Sequence, residues 1–346
     1  MKPANIRTAA TLTAVIAVSA LAACSTTTFG TAAGTNTTVT VLTHDSFDLP
    51  QELIDKFQAD TGYTLVTTAP GDSGVVAGQL VLTKDNPTVD AVFGIDTFTA
   101  ATATQAGVLE DYTPQKLPAS AQEYIIDPAL TPTDMGDVCV NVDHAYFTAN
   151  NLPEPTSFED LATPQYASLL VTENPASSSP GLAFLAATVA HFGNNGYLPY
   201  WQQVLTGGAK VAEGWSEAYY TDFSGADGKG AYPLVVSYSS SPAESAGATG
   251  YLPATCVRQV EYAGVVAGAK NPEGARAFVD FMVSPDVQAA FPEAMYMYPV
   301  DTTVALPAEW AQYATLADEP IVLDPATVAT GREQWITDWT AQFEQL

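Results

Sequence analysis

The sequence predicts an α/β body with parallel strand pairing, and three observations carry that expectation. Short β-branched runs alternate with segments of helical apolar spacing along most of the chain. Apolar residues make up 47% of the 346, enough for a sizeable core. Polar residues cluster just past the ends of the β-branched runs, where open α/β sheets place their ligands.

The elements follow in order. Residues 39–47 (VTVLTHDSF) read as a strand ending at a polar turn. Residues 51–61 carry Leu53, Ile54 and Phe57 at helical spacing, and 63–68 (YTLVTT) form a second strand. Residues 75–82 are helical in period. A short buried strand at 89–94 (VDAVFG) delivers Asp96, and a small-residue helix at 97–106 stops near Gly107. The second portion repeats this style. It has strands at 137–142, 169–172 and 234–238, a short helix at 157–161 capped by Ser157, and an apolar helix at 182–192. A strand at 261–267 and amphipathic helices at 272–282 and 334–343 complete the body.

The first residues carry Lys2 and Arg7 and no acid, followed by uncharged residues 8–23. This is the pattern of a secretory leader, and it is short for a membrane span, which needs about 20 residues. It ends Leu21-Ala22-Ala23-Cys24, which resembles the lipobox of bacterial lipoproteins. That resemblance implies lipidation at Cys24 and a membrane contact made by the lipid anchor alone, on the extracytoplasmic face of the cell membrane. Residues 1–24 are therefore expected to be a signal peptide. Residues 25–38, rich in Thr, Ser, Gly and Ala, are expected to be a flexible tether.

Without the leader, nine basic residues face 38 acidic ones, a net charge of −29. Nucleic acid needs Lys and Arg against its phosphates, so it is not an expected partner. With Cys24 lipidated, Cys139 and Cys256 are an even pair in an oxidising compartment, which suggests one disulfide. The three histidines are scattered and the cysteines lack metal-ligand spacing, so no metal site is expected. Serine-hydrolase and phosphate-loop motifs are missing too, and the chain does not read as an enzyme.

Residues past the strand ends, Asp45, Ser46, Asp96, 178–181 and 239–241, come from distant parts of the chain, as one cleft between two lobes requires. Here the motifs become specific. The strings GWSEAYY (214–220), VVSYSSSPA (235–243) and FMVSPDVQAAFPEAMYMYPV (281–300) resemble the thiamine-binding proteins of bacterial ABC importers. So do THDSF (43–47), VFGID (92–96), SSSPGLAFL (177–185) and QWITDW (334–339). The matches keep their order over residues 39–339.

The resemblance implies a two-lobed, type II periplasmic-binding-protein fold with two hinge crossings and a ligand cleft between the lobes. Lobe one would comprise 39–138 with 257–346, and lobe two 139–256. Cys139 would open one crossing and Cys256 would precede the other. The ligand residues it implies are Asp45, Ser46, Asp96, Ser178, Ser179, Gly181, Trp215, Glu217, Tyr219, Tyr238, Ser240 and Tyr296. Tyr296 stands where the family often has Trp. The implied role is capture of thiamine, or thiamine phosphate, by a monomer that delivers it to the importer's permease, with no cofactor.

The residue chemistry is consistent with that. Thiamine joins a permanent thiazolium cation to a flat aminopyrimidine. Asp45, Asp96 and Glu217 supply charge, and Trp215, Tyr219, Tyr238 and Tyr296 supply faces for cation–π contact and stacking. The Ser/Gly loop at 178–181 supplies backbone N–H groups suited to a hydroxyl or phosphate. The alternative on the same fold is ferric iron or another small cation; for iron, adjacent Tyr219 and Tyr220 resemble the paired tyrosines of ferric-binding relatives.

Overall fold

The computed structural model describes residues 37–225 and 229–346. The leader, Cys24 and the tether as far as residue 36 lie outside the described residues. The β-branched runs become strands β1 (Thr38–Leu42), β2 (Thr64–Thr68), β3 (Ala91–Asp96), β4 (Leu109–Glu110), β5 (Thr131–Asp143), β6 (Leu170–Glu173), β7 (Lys210–Ala212), β8 (Leu234–Tyr238), β9 (Thr249–Tyr251), β10 (Val257–Val266) and β11 (Tyr298–Pro299). They join in the order β2-β1-β3-β10-β5-β8-β6-β7, with β4 on β10 and both β9 and β11 on β5.

Pairing is parallel at both ends of this order, β2-β1-β3 and β8-β6-β7. The expected parallel character therefore holds for the outer strands only. At the centre β10 and β5 run antiparallel to each other, and antiparallel to β3 and β8. The sheet is thus mixed, and these two long strands carry the chain between two halves.

All thirteen residues of β5 are buried. A strand covered on both faces tolerates no simple in/out alternation. Its polar residues are instead bonded internally: Asp137 accepts from the Arg258 guanidinium and from the Ala317 N–H (2.8 Å). Cys139 sits well inside β5 rather than opening it, because Thr131 to Asp137 already pair with β10. Cys139 and Cys256 form a disulfide that ties β5 to the residue preceding β10.

Each half has its own core. In the first, alternate residues of the sheet face opposite layers. Val39, Val41 and Phe93 pack on Phe278, Val279 and Met282 of the helix Pro272–Met282. Leu42 and Val92 pack on Val76, Ala77 and Leu80 of the helix Ser73–Leu82, and Ile95 joins them past the irregular backbone at Gly94. In the second half, Val138, Val140, Leu234 and Val236 meet the helices Ser179–Phe192 and Tyr197–Thr206.

The last helix, Pro325–Phe343, starts well before the amphipathic segment read from the sequence. It lies mainly with the second half. Trp339 packs edge-on to Trp201 (5.6 Å), and the Tyr197 hydroxyl donates to Asp338 (3.2 Å). Its contacts therefore run to the segment 139–256, although the expected first lobe, 39–138 with 257–346, would include it.

Candidate functional site

The turns that follow β1, β2, β6, β7 and β8 converge on one cleft between the halves. It encloses about 550 Å³ between its walls, open mouth included. A second hollow, of about 970 Å³ with its open mouth, lies between β11 and residues 301–316. Met135, Tyr298, Trp310 and Leu316 line it, and it gathers none of the predicted residues.

Aromatic side chains make one wall. The Trp215 indole is fixed at three points. Its ring N–H donates to Ser237 (2.9 Å), its face stacks on Tyr219 (5.0 Å, 14°), and its backbone N–H donates to Asp72 (3.2 Å). Tyr238 stands edge-on to it at 6.2 Å. Tyr296, flanked by Met295 and Met297, closes the other side. Tyr296 ends the helix Pro285–Met295 in the left-handed region, φ 53°. Its carbonyl accepts the Ser240 hydroxyl at 2.5 Å. A non-glycine residue in that region stores strain, and such residues gather at functional sites.

The floor is charged. His44 lies 3.5 Å from the Glu261 carboxylate. Burial alone would lower the imidazole pKa, but Glu261 outweighs it and the net shift is upward. The ring fits because residue 94 is glycine: with φ +89°, a Cβ there would stand 2.2 Å from the ring. Asp72 is also buried. Burial raises its pKa, against donors from Ser178, Ser73 and Trp215. Behind the floor lies Glu173, fully buried, whose carboxylate receives no hydrogen bond from another described residue. Burial, then the charge of Asp72, holds its pKa well above the usual carboxylate range.

Ser46, Trp215, Tyr238 and Tyr296 of the predicted set line the cleft. Asp45 is exposed at the rim, 3.5 Å from the Ser216 hydroxyl, which itself meets Ser46 at 3.1 Å. The others stand outside the lining. Asp96 is fully buried. It accepts the N–H groups of Phe98 (2.6 Å) and Thr99 (2.8 Å) and the hydroxyl of Ser179, and burial pushes its pKa up to about 6. Asp96 and Ser179 thus form a joint between β3 and the helix Ser179–Phe192, with Gln259 donating to the same hydroxyl (2.9 Å). Ser178 caps that helix at Gly181. Gly181 packs so closely on the Glu173 backbone that a Cβ would meet it at 2.7 Å. Glu217 is exposed and pairs with Lys210 (3.3 Å). Ser240 holds the Tyr296 carbonyl.

Tyr219 supports Trp215 from behind and donates its hydroxyl to the Ser241 carbonyl (3.4 Å), while Tyr220 is exposed. Burial, then Glu244, raises both phenol pKa values, that of Tyr220 to about 12. Neither environment favours the phenolates that ferric iron needs.

Sequence reasoning missed Asp72, His44, Glu244 and Glu261, which line the cleft. Asp72 had a signal: Gly71-Asp72-Ser73-Gly74 precedes an apolar helix, as a cap does. Glu261 sits inside a strand, where no local pattern marks it.

Comparisons with known proteins bear on the family and the fold. The family described as bacterial extracellular solute-binding protein matches residues 86–319. The thiamine-binding periplasmic protein of Escherichia coli (strain K12) is 30% identical over 319 residues, covering 87% of this chain and 92% of that one. Its namesake from Brucella suis biovar 1 (strain 1330) is 29% identical, covering 90% and 93%. A solved periplasmic thiamin binding protein superposes with a TM-score of 0.78 at 28% identity, covering 88% and 96%. A ferric binding protein from Campylobacter jejuni, at 16% identity with a TM-score of 0.69 over 88% and 99%, shares the fold.

Proposed function

We propose that this chain, which belongs to the family of bacterial extracellular solute-binding proteins, captures thiamine outside the cytoplasm and delivers it to an ABC-type importer. The observation that carries the reading is the cleft itself. Trp215, Tyr238 and Tyr296 line it together with Asp72, Glu244 and Glu261, with no Lys or Arg among the lining residues. A flat, permanently cationic heterocycle suits such walls. Its charge meets the carboxylates of Asp72 and Glu244, beside a Glu261 shared with His44, and its rings stack. The similarity to thiamine-binding relatives over nearly the whole chain supports the same choice. The protein acts by binding, without chemistry on its ligand.

We take lobe one to be 39–138 with most of 257–346. Lobe two is 139–256, joined by the helix Pro325–Phe343, since Trp335 and Trp339 bury mainly among lobe-two residues. Calorimetric titration tests the function. Thiamine should bind one to one and raise thermal stability, by about 2.7 kcal/mol at a hundredfold excess over Kd. No heat and no stabilisation at millimolar thiamine would sink the reading.

We place the protein on the cell membrane through a lipid at Cys24, supported by the charged, apolar and small-residue order of the leader. Cys24→Ser should move the protein from the membrane fraction to the soluble one, or leave it uncleaved. A variant that remains acylated and membrane-bound refutes the anchor.

A further inference from the structure

The rim of the cleft is closed by direct contacts between the halves, and one of them depends on a missing side chain. The helix Ser73–Leu82 of the first half meets the turn 174–178 of the second. The Gly74 N–H donates to the Ser177 carbonyl at 3.1 Å. A Cβ on Gly74 would stand 2.6 Å from the Ser177 carbonyl oxygen and 2.8 Å from that of Ala176. Both obstacles are backbone, so no rotamer change relieves them.

The neighbouring bonds depend on the same approach. Asp72, two residues earlier, accepts the backbone N–H of Ser179 (3.3 Å) and of Trp215 (3.2 Å) across the cleft. Both distances are already near the limit for a hydrogen bond, so a small separation breaks them. Gly74 itself has an ordinary helical backbone and does not line the cleft. Within its own helix, alanine would be the better residue. Only the opposing turn excludes it.

We propose that Gly74 is a positioning residue for ligand capture, whose missing side chain sets how far the two lobes close over the cleft. Two-lobed binding proteins close about hinges, and a ligand touching both lobes is held by the closed form. A stop at residue 74 would leave the walls apart and shorten ligand residence, while encounter with the open cleft would proceed as before.

The proposal rests on the thiamine reading, and the experiment separates the two. The mature protein and its Gly74→Ala and Gly78→Ala variants are compared by calorimetry, stopped-flow tryptophan fluorescence and small-angle scattering with and without thiamine. Gly78 lies on the same helix with nothing within 4 Å of a Cβ, and serves as the control. Gly74→Ala should bind thiamine roughly tenfold more weakly or worse, the loss lying in the dissociation rate. Its compaction on binding should shrink, and its ligand-free Tm should equal or exceed that of the parent. Gly78→Ala should match the parent throughout.

Parental affinity, dissociation rate and compaction in Gly74→Ala overturn the proposal. So does an equal defect in Gly78→Ala, which would trace the effect to the helix in general. Loss of cooperative folding in Gly74→Ala overturns it too, because the contact would then belong to the fold and not to closure. If the parent itself fails to bind thiamine, the functional reading fails and the proposal falls with it.

Discussion

Trp215→Ala should weaken thiamine binding by about 2–3 kcal/mol, or about 30- to 150-fold, the sum of a lost cation–π face and lost burial. The size follows from how the indole is held. Its ring N–H and its far face are engaged by Ser237 and Tyr219 of the same half, whatever the degree of closure. The side chain is thus ordered by its own lobe, and the full contact is available to the ligand. Alanine removes the face and leaves the Tyr219 ring uncovered behind it. Trp215→Phe keeps a face but loses the bond to Ser237, so it should fall between the two. Calorimetry on the three proteins decides. An alanine variant within twofold of the parent would show that the ligand does not rest on this indole.

Replacing both Cys139 and Cys256 by alanine should lower unfolding stability by about 3–5 kcal/mol. The bridge spans 117 residues of sequence, and closing so long a loop removes much entropy from the unfolded chain. Both cysteines are buried beside Ala317, away from the cleft, so thiamine affinity should stay within about threefold of the parent if the walls are undisturbed. Urea unfolding followed by far-UV circular dichroism measures the first quantity and calorimetry the second. A loss below about 1 kcal/mol would mean that the unfolded chain is little constrained by the bridge.

These two sites mark what the sequence made legible. Trp215 and Tyr238 were legible only through the strings GWSEAYY and VVSYSSSPA and the resemblance they carry, since an aromatic residue alone reads as core. The two cysteines needed only counting. Other features depend on partners far away in sequence. The first half of β5, Thr131 to Gly136, contains Pro132, Asp134 and Gly136 and reads as a loop. It becomes a strand because β10 and β11 pair with it. The helices Tyr197–Thr206 and Pro285–Met295 were hidden by Pro199, Pro285 and Pro292. Pro199 and Pro285 stand in a first turn, which tolerates proline, and Pro292 lies inside its helix, so each looks like a break in the sequence.

The acids show the same divide. Asp96 was legible as a strand-end carboxylate, yet it joins β3 to a helix start. Asp72, which faces the cleft and which sequence reasoning missed, stands in sequence where an ordinary cap would. It is one, since it accepts the Ser73 N–H at 2.6 Å, but its other bonds reach residues more than a hundred positions away. No window along the chain could have revealed them.

The left-handed backbone at Tyr296 narrows the choice of residue there. Glycine and asparagine adopt that conformation with least strain, while a large side chain pays on the order of 1 kcal/mol or more. The side chains that would relax the chain are those without a ring to present to a cation. Stability and capture therefore pull on position 296 in opposite directions. The hydroxyl of Ser240, held on the Tyr296 carbonyl, fixes the backbone at the point where the two pulls meet.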